Sequence, residues 1–178
     1  MNNKHILLCG VGGQGVILSQ NILSLGITEA GYDIKVSEIR GLAQRGGSVY
    51  SEVIYGDKVF SPIIENGCVD IILSFDFLET FKYINKLKPN GKIIVNTSLT
   101  EDYNNYNFPD NVSVKYIDSQ SILSNIDENQ ISNFLLLGIL IKELDLQNID
   151  WIDIINKNIK NELKDLNIQA FNLGLNYK

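Results

Sequence analysis

Along this chain, short apolar runs bounded by glycine alternate with longer stretches whose apolar residues recur at helical steps. Residues 5–9 ("HILLC") form a strand-like run that stops at Gly10. Residues 16–30 then space Val16, Leu18, Ile22, Leu25 and Ile27 as a helix does, so the opening segment predicts strand, tight turn, helix. "DIKVSEI" (33–39) predicts a second strand and completes a βαβ unit. In "SVYSEVIYGDKVFSPII" (48–64), Gly56-Asp57 separates two β-prone segments in the manner of a hairpin turn. Residues 69–75 predict a buried strand, followed by a helix to about Lys86, the breaker "KPNGK" and a strand at 92–96. A further strand is expected at 112–117, and the polar stretch 102–110 reads as an exposed loop. The final third reads as helical, first over 131–144, then as one stripe of Ile149, Ile152, Ile155, Ile159, Leu163 and Leu166. The apolar block "FLLLGILI" (134–141) is far shorter than the roughly 20 residues a membrane span requires, and predicts a buried helix.

Composition narrows this picture without changing it. The 178 residues fit one domain, 1–178, and 44% hydrophobic with 20% charged residues is globular. A net charge of −6 argues against a nucleic-acid or anionic-membrane surface. Cys9 and Cys68 are the only cysteines, too few for a disulfide framework or a cysteine-ligated iron–sulfur cluster. No metal site is expected. The start of the chain lacks the order of basic, apolar and small segments of a secretory signal, so a cytoplasmic location is expected. His5, the single histidine, opens a strand and reads as structural, and Cys9 as a small buried residue.

Candidate chemistry begins at "GVGGQGV" (10–16). Gly10, Gly12 and Gly15 satisfy G-x-G-x-x-G between a strand and a helix, with Gly13 and Gln14 completing the loop. Gly10 would permit the turn, Gly12 would let backbone approach a phosphate, and Gly15 would let helix and strand pack closely. Free N–H groups at the helix start favour an anion. Glu38 ends the second strand, where a ribose-binding carboxylate of an NAD or FAD site belongs; equally, the glycines serve only a close crossing and Glu38 pairs with Arg40 or Arg45.

The second loop is more specific. "SEIRGLAQRGGSVYSEV" (37–53) carries Gln44, Arg45, Gly46 and Gly47 at a strand end, with Arg45 able to grip a phosphate or carboxylate in two places, or to anchor a partner. "GVGGQGVILSQNIL", "SEIRGLAQRGGSV", "SNFLLLGIL" and "LNIQAFNLG", in that order, resemble the gamma-type domain of 2-oxoacid:ferredoxin oxidoreductases, and "AQRGG" most resembles the indolepyruvate-type beta subunits. The resemblance runs from Ile6 to about Gly174. It implies an α/β, Rossmann-like three-layer sandwich with a mostly parallel sheet, a β-hairpin insertion and C-terminal helices. It also implies an accessory subunit in the oxidative decarboxylation of a 2-oxoacid, indolepyruvate or another arylpyruvate, to acyl-coenzyme A, CO2 and reduced ferredoxin.

Thiamine diphosphate, magnesium and the iron–sulfur clusters are then expected on a larger alpha-type partner, because this chain has neither a Gly-Asp-Gly segment with a downstream Asn pair nor cluster cysteines. It would be inactive alone and supply no catalytic side chain. Its two loops would line the entrance for the 2-oxoacid or coenzyme A. Asn133 and Asn167 recur in the family-like segments, as caps, buried hydrogen-bonding groups or ligand contacts. The alternatives are a free-standing NAD- or FAD-binding oxidoreductase and a non-catalytic interaction module.

Overall fold

The computed structural model describes residues 3–40, 46–100, 103–124, 126 and 131–178, with backbone alone at 40, 104 and 161. Six strands form one sheet: β1 (Lys4–Val11), β2 (Asp33–Arg40), β3 (Ser48–Gly56), β4 (Val69–Ser74), β5 (Leu87–Asn96) and β6 (Ser113–Ile117), in the order β2-β3-β1-β4-β5-β6. β3 alone runs antiparallel to its neighbours. The helices are α1 (Val16–Glu29), α2 (Phe77–Tyr83), α3 (Ser119–Ile122), α4 (Ser132–Glu143), α5 (Trp151–Asn158) and α6 (Lys164–Leu175).

Alternation in β1 explains the three layers. Ile6 and Leu8 point to one face, into a core shared with α1, α4, α5 and α6; Leu7 and Cys9 point to the other, into a core with Phe77 of α2. All four are fully buried, as expected of a strand covered on both faces. The bilayered burial leaves Cys9 inert: its thiol donates to Ser74 Oγ at 3.2 Å, and burial pushes its pKa up to about 12. Thiol titration of the native chain is expected to modify half-buried Cys68 first and to reach Cys9 only on unfolding.

Several expectations shift. The hairpin is present, but it joins β2 to β3 around residues 41–47 rather than turning at Gly56-Asp57. Residues 57–68 form no strand; Val59 N–H instead donates to Asp33 Oδ2 (2.8 Å) and Ile64 N–H to Glu52 Oε2 (3.1 Å), so side chains take over the ladder's role. β5 starts earlier than expected, at Leu87, and absorbs "KPNGK" as an irregularity in its pairing with β4, where Asn90 takes φ 61°. Within the stretch 102–110, the described side chains are only partly solvent-facing. Tyr103 and Phe108 pack on the α2-side core, and the Phe108 ring stacks on Phe81 with centroids 4.8 Å apart. The last apolar stripe is broken at Ile159, whose extended backbone (ψ 144°) ends α5.

α4 is buried along its length because "FLLLGILI" leaves it no polar face. It packs closely on α6: Gly138 abuts the backbone of Phe171 and Gly174, and Lys142 Nζ donates to the Tyr177 carbonyl (2.5 Å). Among the described residues, no helix is long and apolar enough to cross a membrane.

Candidate functional site

Two loops meet at the carboxyl end of β1. In the first, Val11 N–H donates to Gln14 Oε1 (2.8 Å) while Gln14 N–H donates to the Val11 carbonyl (3.1 Å), so the Gln14 side chain braces the loop from within. Gly10 has no room for a side chain: a Cβ there would lie 2.7 Å from Gln14 Oε1 and 2.9 Å from Phe75 Cβ. Gly12 N–H donates to the Gly47 carbonyl (2.9 Å), tying the first loop to the second. Gly13 lies in open space at φ 103°. Gly15, at φ 83°, is the N-cap of α1, and neither a side-chain cap nor an acidic residue serves that helix's first turn. Its free N–H groups and the positive end of its dipole therefore favour an anion.

Gly46 is exposed at φ 69°, and Gly47 leads into Ser48, which pairs with Val11. Gln44 and Arg45, the side chains expected to hold a ligand or partner, lie outside the described residues. Beneath the second loop, Ser48 Oγ donates to Glu79 Oε2 (2.6 Å) and meets the Tyr83 hydroxyl at 3.0 Å, while Lys82 Nζ donates to Glu79 Oε1 (2.5 Å). The base of the loop is thus pinned to α2. Ser48, Glu79 and Tyr83 escape sequence reasoning, because nothing in local spacing announces a contact between β3 and α2.

Glu38 is not where a dinucleotide site needs it. It is exposed on β2, opposite Ser51, and β3 stands between β2 and β1. At roughly 4.8 Å per strand spacing, β2 is about 10 Å from β1, whereas the dinucleotide fold sets these strands side by side. The glycine loop therefore lacks its ribose-binding neighbour.

The glycine roles also change. Gly15 makes room less for the strand than for Asn133 of α4: a Cβ at Gly15 would lie 2.6 Å from Asn133 Nδ2 and 2.9 Å from its Cγ. Asn133 is 3% exposed, and its Oδ1 has no hydrogen-bond partner; neither have Ser19 Oγ and Gln20 Oε1, buried in the first two turns of α1. Asn167 is buried in α6. The signal for Asn133 was its place in "SNFLLLGIL"; that for Ser19 and Gln20 was polarity within an apolar helix.

Two thiols are too few to ligate an iron–sulfur cluster through cysteine. Cys9 is sealed in the core on β1, and Cys68 precedes β4 as the only other thiol. Among the described residues, no group of three His, Cys, Asp or Glu side chains could hold a metal ion.

The fold matches that of the keto/oxoacid ferredoxin oxidoreductase gamma subunit from Geobacter sulfurreducens, with TM-score 0.77, 23% identity, and coverage of 96% of this chain and 95% of that one. It also matches the pyruvate oxidoreductase subunit PORC from Thermotoga maritima, with TM-score 0.76, 20% identity, and coverage of 98% and 96%. Among curated relatives, the indolepyruvate oxidoreductase subunit IorB of Methanothermobacter thermautotrophicus is 30% identical over 193 residues, covering 97% of this chain and 96% of the relative. That of Pyrococcus horikoshii is 41% identical over 96 residues, 54% of this chain, and the match spans about half (48%) of the relative's length. The family model for pyruvate ferredoxin/flavodoxin oxidoreductase matches residues 5–177. With that match over nearly all of its length, the chain belongs to the pyruvate ferredoxin/flavodoxin oxidoreductase family.

Proposed function

We propose that the chain is an accessory subunit of a thiamine-dependent 2-oxoacid:ferredoxin oxidoreductase acting on indolepyruvate or a similar arylpyruvate. The observation that carries its site is the link from Gly12 N–H to the Gly47 carbonyl, which joins the glycine loop and the base of the Arg45 loop into one wall. Similarity to the IorB subunits supports the substrate class. The backbone N–H groups at the start of α1 orient a phosphate of coenzyme A or the carboxylate of the 2-oxoacid, and Arg45 neutralises the ligand's charge. No acid, base or nucleophile is required from this chain. Thiamine diphosphate, magnesium and the iron–sulfur clusters reside on an alpha-type partner, whose bound thiamine supplies the carbanion chemistry, and electrons leave through ferredoxin. The complex is cytoplasmic.

Co-expression with a thiamine- and cluster-bearing subunit is expected to give a stable complex with ferredoxin-linked, coenzyme A-dependent oxidation of indolepyruvate, and no activity from this chain by itself. Full activity of the larger subunit without it would sink the proposal. In the complex, Arg45→Ala is expected to raise KM for coenzyme A or the 2-oxoacid about tenfold with assembly intact. Loss of assembly would instead make the loop an interaction module. Calorimetry with NAD and FAD is expected to detect no binding.

A further inference from the structure

At the end of α1 away from the glycine loop lies a pocket of about 390 Å³, whose lining includes Glu29, Tyr32, Asp145, Leu146, Asn148 and Asp150. No basic side chain lines it. α1 ends at Glu29 and α4 at Glu143, two residues before Asp145, so the carboxyl ends of helices of 14 and 12 residues add partial negative charge beside these carboxylates. Neither end is neutralised locally: α1 has no basic residue in its last turn, and Lys142 of α4 is committed to the Tyr177 carbonyl (2.5 Å). Asp150 caps α5, its Oδ1 accepting from Asp153 N–H (3.1 Å). Glu29 and Asp145 form no ion pair or side-chain hydrogen bond among the described residues, and Lys157, whose charge reaches Glu29, is ion-paired with Asp153 (2.5 Å).

A buried side chain behind the pocket points the same way. Tyr55 of β3 is fully buried, and its hydroxyl has no hydrogen-bond partner, whereas buried hydroxyls are normally paired. The Tyr32 ring, which lines the pocket and is half-buried, packs edge-to-face against the Tyr55 ring with centroids 5.6 Å apart. Burial pushes the Tyr55 pKa up to about 12, and the charges of Tyr32, Asp70 and Asp145 add to the rise. Two of those three residues line the pocket, so the hydroxyl lies toward it. It stays protonated at neutral pH, with lone pairs able to accept from an N–H donor.

The chemistry selects the ligand. Glu29, Asp145 and Asp150 do not gather into a group that could hold a metal ion, yet they share one pocket of a volume that suits a small organic molecule. We propose that this pocket binds a small organic cation with spaced ammonium groups, a diamine or polyamine. The Glu29 and Asp145 carboxylates accept from its N–H groups, and the Tyr32 ring covers its alkyl chain. The Tyr55 hydroxyl, reached when the Tyr32 ring turns aside, accepts the innermost hydrogen bond. The site stands apart from the glycine loop and needs nothing from it.

The test uses the full 178-residue chain, isotopically labelled and titrated at neutral pH with 1,4-diaminobutane and, at matched ionic strength, with magnesium chloride. The wild type is expected to show saturable shifts of the Glu29 and Asp145 amides and of the Tyr32 and Tyr55 ring signals at millimolar diamine, and no saturable shift with magnesium. Asp145→Asn, which keeps a residue that tolerates the φ of 57° at this position, is expected to weaken diamine binding about tenfold. Tyr55→Phe is expected to weaken it about threefold while leaving the melting temperature of the diamine-free chain unchanged or higher, since only an unpaired hydroxyl is lost. Absence of saturable shifts with the diamine overturns the proposal. So does an equal response to magnesium, which would mean diffuse surface charge, or an unmoved Tyr55 ring. The wild-type signals decide the matter even if a variant does not fold.

Discussion

Gly174→Ala is expected to lower the stability of the chain by about 3 kcal/mol and its melting temperature by about 10 °C. A Cβ at Gly174 would lie 2.1 Å from the Leu135 carbonyl oxygen and 3.0 Å from Ile139 N. Both are backbone atoms of α4, so no rotamer change relieves the clash; the helices must separate. Separation opens a seam whose other residues, Leu135, Ile139, Ala170 and Phe171, are fully buried, and a gap of even a fraction of an ångström loses much of their dispersion contact. The neighbouring Asn172→Ala, on the exposed side of α6, is expected to stay within about 0.5 kcal/mol of the wild type. Thermal unfolding followed by circular dichroism checks both; an unchanged melting temperature for Gly174→Ala would mean that the two helices do not cross at these glycines.

Lys86→Ala is expected to cost more, about 3–5 kcal/mol, as a lower urea midpoint with little change in slope. Glu52, on central strand β3, is 3% exposed and ion-paired with Lys86, so removing the lysine strands a carboxylate inside the core. The usual rescue, replacing both partners by apolar residues, is expected to recover only part of the loss. The reason is Ile64, which is 2% exposed: its N–H donates to Glu52 Oε2 (3.1 Å) and its carbonyl accepts from Lys86 Nζ (3.1 Å). A double variant of Glu52→Leu with Lys86→Met leaves both peptide groups unpaired, at about 1–3 kcal/mol each. Full recovery in the double variant would show that the pair acts as a simple ion pair rather than as a clamp on the irregular segment after β3.

What the sequence made legible follows from range. β1, the glycine turn, α1, β4 and α4 are each specified by residues within one short window, and period and punctuation suffice to find them. The sheet order is not local. "DIKVSEI" and "SVYSEVIYG" each read as strands, but nothing in either says that β3 inserts between β1 and β2, and this single insertion displaces Glu38 from the glycine loop. Gly56-Asp57 misled because its composition is that of a turn between strands, whereas the next segment is held by Asp33 and Glu52 side chains. The stripe from Ile149 to Leu166 stayed in phase across a helix break, since inward-facing residues keep their side whether one helix or two carries them. At the site, the glycines were visible and Asn133 was not separable from a cap, because its meaning depends on a contact with a helix far away in the chain.

The reversed direction of β3 has one more consequence. A strictly alternating parallel chain returns from every strand end through a helix, so a longer loop there shifts a helix and disturbs the core beneath it. Here β2 instead connects directly to β3, and their register runs unbroken from Asp33↔Gly56 to Arg40↔Val49. A change of length between these two strands leaves every one of those pairings in place. The glycine loop on β1, braced by Gln14 and the backbone, is thereby independent of the length of the connection between β2 and β3.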